Sequence, residues 1–167
     1  MRMRMPVWSV VSVLVAALSL AGVAASGAPG TARRFLLIRG AETRPLQNRA
    51  AAIAALESVG FVSSQLGSLP LAERIRAVRA ADAIVAEHGS DLACIMFARP
   101  GTPVLELCGP AEPQPLFWTI ATNAGLPYGF IAGKPEPAGY SIPLDALAGA
   151  VATIRRMALL TFGGPPP

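Results

Sequence analysis

The sequence predicts an α/β fold with a Rossmann-like parallel sheet, and three observations carry this prediction. From Phe35 onward, short apolar runs alternate with helix-like segments, which is the arrangement of parallel strands joined by right-handed crossovers. The strand-like runs are apolar throughout, as expected of strands that are buried on both faces. With 167 residues, the chain has room for one domain with a substantial core but not for two.

The predicted elements follow one another with short connections. Asn48 is placed to cap the first helix, because its side-chain oxygen can accept a hydrogen bond from an unpaired backbone N–H at the helix start. Gly60 is placed to end the same helix, because glycine readily adopts the conformation that follows a last helical turn. Ser68 and Pro70 open the second helix, which is predicted to bury Leu71, Ile75 and Val78 on one face. Five strands are predicted at 35–39, 61–66, 82–86, 103–107 and 127–131, and the other helices at 50–58, 92–97, 114–123 and 144–157.

The N-terminal segment differs in composition from the body. Residues 7–25 are apolar apart from serine, so 1–28 is predicted to be a signal peptide or a membrane anchor. Arg2 and Arg4 stand before the apolar stretch and favour a cytoplasmic N-terminus. A third alternative is a start that is not native to the domain. The first two imply a secretory or membrane-anchored protein that contacts the membrane through this segment, and the third a cytoplasmic one. A linker at 29–34, a domain at 35–160 and a tail at 161–167 complete the predicted organisation.

Charge and cysteine usage argue against two classes of function. The net charge of +4 includes no basic stripe with interleaved aromatic residues, so a nucleic-acid partner is not expected. Cys94 and Cys108 lack a second cysteine or histidine at ligand spacing, so no metal site is predicted. The two cysteines are interpreted as small buried hydrophobes, although a disulfide between them stays open.

The turn after the third strand is the first candidate site. His88, Gly89 and Ser90 lie where a strand feeds into a helix, so backbone N–H groups and the positive helix end would face the crevice at the carboxyl edge of the sheet. This arrangement suits a pyrophosphate, to which His88 could donate a hydrogen bond. The alternative is a histidine that serves only as a structural hydrogen-bonding group.

Charged residues near two other strands extend this candidate site. Glu106 interrupts an apolar strand, so it is expected at the exposed end, where it could accept hydrogen bonds from two ribose hydroxyls. An ion pair with Arg39 or Arg99 is the alternative. Arg39 and Arg44 follow the first strand and could neutralise a diphosphate, or they could be a solvated pair.

The order and spacing of these motifs resemble the C-terminal region of glycosyltransferase family 61. That family has an arginine ending a first strand, Arg-x-x-x-Asn, Gly-Phe, a helix ending in Ala-Asp, His-Gly-Ala-Gly-Leu, Gly-Thr and a Val-Leu-Glu-Leu strand. The likeness runs from about Phe35 to Gly133. The corresponding segments here are 38–39, 44–48, 60–61, 81–82, 88–92, 101–102 and 104–107.

The resemblance implies a GT-B glycosyltransferase, of which this chain would be the C-terminal half. Such an enzyme transfers a sugar from a nucleotide-sugar donor to a glycan or glycoprotein acceptor, without a cofactor and without a bound metal ion. A shortened chain that is inactive alone is expected, and the alternative is a non-catalytic remnant that binds a nucleotide or a partner protein. The catalytic base stays unassigned. The donor-binding residues implied are Arg39, Arg44, His88, Gly89, Ser90 and Glu106.

Two departures from the family pattern bear on the site. Asp91 stands in the first turn after His88-Gly89, where it suits the helix dipole but would repel a phosphate. Arg49 replaces the acidic residue that usually follows the asparagine, so the first helix lacks the reciprocal partner of a capping box.

Overall fold

A computed structural model describes residues 34–40, 46–110 and 115–163 of the chain. The N-terminal segment, Arg44 and the last residues of the tail lie outside this part. The strands are β1 (Phe35–Ile38), β2 (Phe61–Ser64), β3 (Ala83–Glu87), β4 (Val104–Cys108), β5 (Tyr128–Ala132), β6 (Lys134–Glu136) and β7 (Gly139–Ser141). The α-helices are α1 (Arg49–Glu57), α2 (Leu71–Ala80), α3 (Pro115–Asn123) and α4 (Leu144–Phe162), with 3₁₀ segments at Leu66–Ser68 and Ser90–Phe97.

The main sheet has five parallel strands in the order β2-β1-β3-β4-β5, which confirms the predicted parallel α/β architecture. This is the flavodoxin-like variety of the doubly wound fold rather than the longer dinucleotide-binding order. The chain leaves β1 in one direction and returns past it to β3, so the strand order reverses between these two strands. In open α/β sheets, ligands bind in the crevice beyond the carboxyl ends of the strands at such a point.

Each face of the sheet packs against its own layer of helices. Leu37, Val85 and Leu107 lie in a core with residues of α1 and α4. Ile38 and Ile84, from the same strands, lie in a second core with residues of α2, α3 and the 3₁₀ helix Ser90–Phe97. The alternation of side chains along each strand therefore decides to which layer a residue belongs, including the residues that follow the strand ends.

A small hairpin that the sequence analysis missed covers part of the carboxyl edge. Strands β6 and β7 pair antiparallel, and Tyr140 of β7 forms a bridge with Leu46. Gly133 lies so close to this hairpin that an added Cβ would be 2.9 Å from the carbonyl oxygen of Ser141 and would overlap the ring of Tyr140. Glycine is therefore required at this position by close approach rather than by its φ angle.

Asn48 joins this hairpin to the start of α1, in place of the predicted capping role. It occupies the N-cap position but makes no side-chain capping bond. Its Nδ2 donates to the carbonyl of Ile142 at 2.8 Å, and its Oδ1 accepts from the N–H of the same residue at 3.0 Å. The amide thus pairs with Ile142 as a neighbouring strand would, and it holds two segments that are far apart in sequence.

Several predicted boundaries also change. The second strand ends at Ser64 because the chain turns into the 3₁₀ segment Leu66–Ser68. The short helix predicted at 92–97 begins at Ser90 and is a 3₁₀ helix. Leu71 is 61% exposed, since it lies at the first turn of α2 before the helix meets the core. Both cysteines are free. Within the described ranges, we find no helix with the length and apolar character needed to span a bilayer.

Candidate functional site

A buried hydrogen-bonded cluster runs from the first residue of β5 through the middle of β4 to the residue that follows β3 at the carboxyl edge. Glu106 in β4 is fully buried, with 0% relative exposure. Its Oε1 contacts Nδ1 of His88, and its Oε2 accepts a hydrogen bond from the hydroxyl of Tyr128. Glu106 is paired in register with Ala86, two residues before His88, so both side chains leave the same face of the sheet.

This environment determines how the imidazole of His88 is held. A carboxylate only accepts hydrogen bonds, so in a contact with ionised Glu106 the donor is Nδ1 of His88. The ring also meets the ring of Phe117 edge to face, with the centroids 5.3 Å apart. The side chain is 27% exposed, and Nε2 has no hydrogen-bond partner among the residues that the structure describes. His88 therefore offers Nε2 for chemistry with a ligand.

Two groups beside the Glu106 carboxylate, Tyr128 and Cys108, have raised pKa values. Burial, followed by the hydrogen bond and the charge of Glu106, raises the pKa of Tyr128 well above its usual value. Burial and then the same charge raise the pKa of Cys108 to about 12. Both side chains therefore stay protonated at neutral pH, and the phenol acts as a hydrogen-bond donor to the carboxylate.

The prediction that Glu106 lies at the exposed end of its strand is wrong. Strand β4 continues to Cys108 and is paired on both sides, so the carboxylate points into the helical layer. Neither alternative for its partner is found: both oxygens are engaged inside the protein, and Arg99 pairs instead with Asp82 at 2.6 Å. Because Glu106 is fully buried and both of its oxygens bond inside the protein, the carboxylate is not exposed to a ribose.

A second buried carboxylate, Glu87, ends β3 on the opposite face. It is 3% exposed, and its Oε2 accepts from Nε and a terminal nitrogen of Arg49 at 3.1 and 2.8 Å. The pair was not predicted, because the third strand was expected to end at Ala86 and Glu87 to lie beyond it. The pair explains the departure at position 49, since the arginine meets an acidic residue across the α1–β3 contact rather than a capping partner.

Arg39 follows β1 at the reversal of strand order. Its N–H donates to the carbonyl of Ser64 at 2.9 Å, and its buried Nε has no hydrogen-bond partner within the described ranges. The alternation along β1 assigns Arg39 to the face of Leu37, whereas His88 belongs to the other face. A ligand lying across the edge between β1 and β3 would therefore have Arg39 on one side and His88 on the other. The predicted partner Arg44 lies outside the described residues.

The turn after His88 leads directly into the 3₁₀ helix Ser90–Phe97. Gly89 is buried with an extended backbone, and Ser90 is exposed. The carboxylate of Asp91 accepts from the N–H of Gly67 at 2.8 Å, so it is tied to the segment before α2. This bond gives Asp91 a structural use at the position where we expected it to repel a phosphate.

The structure thus brings His88 and Glu106 together and adds Tyr128, which the sequence analysis did not include in the site. A polar group inside an apolar strand needs a partner, and a tyrosine at the start of the adjacent strand is the signal that could have indicated it. Among the described residues, no group of three or more His, Cys, Asp or Glu side chains could hold a metal ion.

Comparisons with known proteins identify the family of the chain. The crystal structure of the flavodoxin-like domain of a Synechococcus sp protein is similar over 74% of this chain and 92% of that domain, at 18% identity and a TM-score of 0.49. No curated protein matches the chain. The sequence model described as Glycosyltransferase 61 matches residues 5–105, more than half of the chain and including His88 and Gly89. The chain therefore belongs to the glycosyltransferase 61 family.

Proposed function

We propose that this chain binds a nucleotide-sugar donor at the carboxyl edge between β1 and β3, as the donor-binding half of a GT-B glycosyltransferase. The sugar would pass to a hydroxyl of a glycan or glycoprotein acceptor. The observation that carries the proposal is the His88–Glu106 contact. It directs an imidazole to the reversal of strand order, with Nδ1 bonded and with Nε2 unpartnered among the described residues. Family membership supports the reaction class.

The chemistry of sugar transfer explains why such a histidine is useful. The acceptor oxygen forms a bond to the anomeric carbon while the bond from that carbon to the diphosphate breaks, and the diphosphate leaves with the electron pair. Negative charge grows on the leaving phosphate, so a positioned donor stabilises the transition state. A protonated His88 would donate from Nε2 to this phosphate, and the buried Glu106 carboxylate would balance the charge of the imidazolium.

Other groups at the same edge complete the proposed donor site. Arg39 would contact the diphosphate from the opposite side, and Arg44 stays a candidate for the same role. The backbone N–H groups at Gly89 and Ser90 would donate hydrogen bonds to a phosphate at the start of the 3₁₀ helix. With charge neutralised by these groups, we expect the donor to bind without a metal ion.

The proposed role of Glu106 differs from the predicted one, and the catalytic base stays unassigned. Glu106 would orient His88 rather than bind ribose, since both of its oxygens are already engaged. The base that takes the proton from the acceptor hydroxyl is not assigned to any residue of this chain. If 1–28 anchors the protein or directs its secretion, the acceptor would be met in the secretory pathway or at the membrane.

Isothermal titration of the protein with uridine and guanosine diphosphates and their sugar conjugates tests the proposal. We expect saturable binding to at least one nucleotide and a loss of affinity of about 10- to 100-fold in His88→Ala, the usual value of a hydrogen bond to a charged group. Arg39→Gln should weaken binding as well. Its matched control is Arg76→Gln, because Arg76 is exposed on α2 and, within the described part of the chain, its side chain bonds to its own helix.

The outcomes separate the proposal from its alternative. Transfer of a radiolabelled sugar to an added glycan, lost in His88→Ala, would establish the enzyme. Saturable nucleotide binding without any transfer would support a non-catalytic remnant. Unchanged nucleotide affinity in both His88→Ala and Arg39→Gln would show that the donor does not bind at this edge.

A further inference from the structure

Tyr128 contributes to the site although it lies outside the family match. It is the first residue of β5, and its hydroxyl donates to Oε2 of Glu106. The match to the family model ends at residue 105, before both Glu106 and Tyr128. The contact itself joins β5, at one edge of the sheet, to the carboxylate that holds His88.

The two oxygens of Glu106 have different partners, and this difference fixes the carboxylate. Oε2 is held by Tyr128, so only Oε1 is directed to Nδ1 of His88. Without the phenol, the carboxylate could rotate about its terminal bond and present either oxygen, and one buried oxygen would lose its hydrogen bond. An unsatisfied buried acceptor is costly, so the group would shift towards any other donor that it could reach.

The position of the carboxylate in turn fixes the proton on His88. A neutral imidazole carries one proton, and an acceptor-only partner at Nδ1 keeps it on that nitrogen. Nε2 is then the ring nitrogen that can form a hydrogen bond with a ligand. The same logic governs histidines whose outer partner sets their tautomer in metal and protease sites.

We propose that Tyr128 is a positioning residue, which acts through Glu106 to hold His88 in one ring orientation with Nδ1 protonated and Nε2 directed to the ligand. The importance of this for sugar transfer rests on the proposed function, but the arrangement itself does not. Tyr128 suits the role because its hydroxyl keeps its proton at neutral pH, since burial raises its pKa. A phenol has a single polar atom, so it cannot exchange its donor for another group by flipping, as an amide side chain could.

The sole histidine of the chain makes the proposal measurable without any ligand. Long-range ¹H–¹⁵N NMR distinguishes protonated from unprotonated ring nitrogens, and His88 gives the only side-chain signal of this kind. In the native protein, at a pH where the spectrum shows a neutral ring, we expect Nδ1 to be protonated and Nε2 to be bare. In Tyr128→Phe we expect the two nitrogen shifts to move towards each other, as the tautomers become mixed.

The matched control is Tyr140→Phe, which removes the hydroxyl of the only other tyrosine and should leave the signal of His88 unchanged. Thermal unfolding of each variant shows that the spectra come from folded protein. An unchanged His88 spectrum in folded Tyr128→Phe would overturn the proposal. If that variant does not fold, the native spectrum still decides, because a neutral ring protonated on Nε2 contradicts the arrangement outright.

Nucleotide titration then separates this proposal from the proposed function. If both hold, Tyr128→Phe should lower nucleotide affinity by about three- to tenfold, as expected for one weakened hydrogen bond, while Tyr140→Phe should not. A native protein that shows the expected tautomer but binds no nucleotide would refute the proposed function and leave the positioning role of Tyr128 intact. If nucleotide binding is lost in His88→Ala but the His88 tautomer is unchanged in Tyr128→Phe, the proposed function is supported and the positioning role of Tyr128 is refuted.

Discussion

Replacing Asn48 by aspartate distinguishes two roles that an asparagine can have at the start of a helix. Aspartate caps a helix as well as asparagine does, so a capping role predicts almost no change in stability. The structure instead shows Asn48 bonded through both atoms of its amide to the backbone of Ile142. Aspartate keeps the acceptor for the N–H of Ile142 but presents an oxygen to its carbonyl, where the native Nδ2 donates at 2.8 Å.

The magnitude follows from the groups that lose their partners. Asn48→Asp leaves one part-buried carbonyl unpaired and facing an anion, at a cost of about 1.5–3 kcal/mol in the free energy of unfolding. Asn48→Ala loses both hydrogen bonds, and we expect a cost of about 2–4 kcal/mol. These are large fractions of the roughly 5–15 kcal/mol that stabilises a typical domain.

Urea unfolding measures these differences. With a slope of about 2 kcal/mol per molar urea, a loss of about 2 kcal/mol lowers the midpoint by about 1 M. Asn123→Ala is the control, because Asn123 is the other asparagine of the chain and is exposed at the end of α3. An Asn48→Asp variant as stable as the native protein would refute the reasoning and return Asn48 to the capping role.

Three further predictions follow from buried or closely packed groups. Gly133→Ala should destabilise the protein by about 1–3 kcal/mol, because the added methyl group would overlap with the hairpin. Gly149→Ala should stabilise it by about 0.5–1 kcal/mol, because Gly149 lies in α4 with open space around it. Thermal unfolding of the two variants compares these effects. Arg49→Leu should lower the free energy of unfolding by about 3 kcal/mol in urea, because it leaves Glu87 buried without its charge partner. Replacing both residues by leucine should recover much of that loss. If the effects of the two substitutions are fully additive, the pair does not stabilise the protein as proposed. Burial raises the pKa of Cys108 to about 12 from its ordinary value of 9.0, so the thiol ionises at lower pH in the unfolded chain than in the folded protein. The free energy of unfolding should therefore fall as pH rises from about 9 towards 12, by at most about 1.4 kcal/mol per pH unit. Cys108→Ala should flatten that decline, and an alkaline stability profile identical to that of the native protein would contradict the assignment.

The sheet and the place of the site could be predicted because their signals are local. Apolar runs such as the one that became β3 show burial on both faces, and His88 follows that run directly, which places it at the carboxyl edge of any parallel sheet. Family membership could be predicted for the same reason, since the order of short motifs along the chain is visible without knowledge of contacts between them.

The partners of the charged residues could not be predicted, because they depend on contacts between distant segments. Nothing near Glu106 in the sequence indicates that β5 pairs in a register that aligns Tyr128 with Val104 and so brings its hydroxyl to the carboxylate. Asn48 and Ile142 are similarly distant in sequence, and a capping role was the best local interpretation of an asparagine before a helix. Strands β6 and β7 have only three residues each, too few to show a pattern.

The location of Tyr128 on an outermost strand has a consequence for the dynamics of the protein. Strand β5 is hydrogen-bonded to β4 on one side only, and such strands are among the first parts of a domain to open in local fluctuations. Each opening would withdraw the phenol from Glu106 and release the imidazole before the rest of the fold is disturbed. Amide hydrogen exchange along 128–132 would therefore report how much of the time the histidine is held in its working orientation.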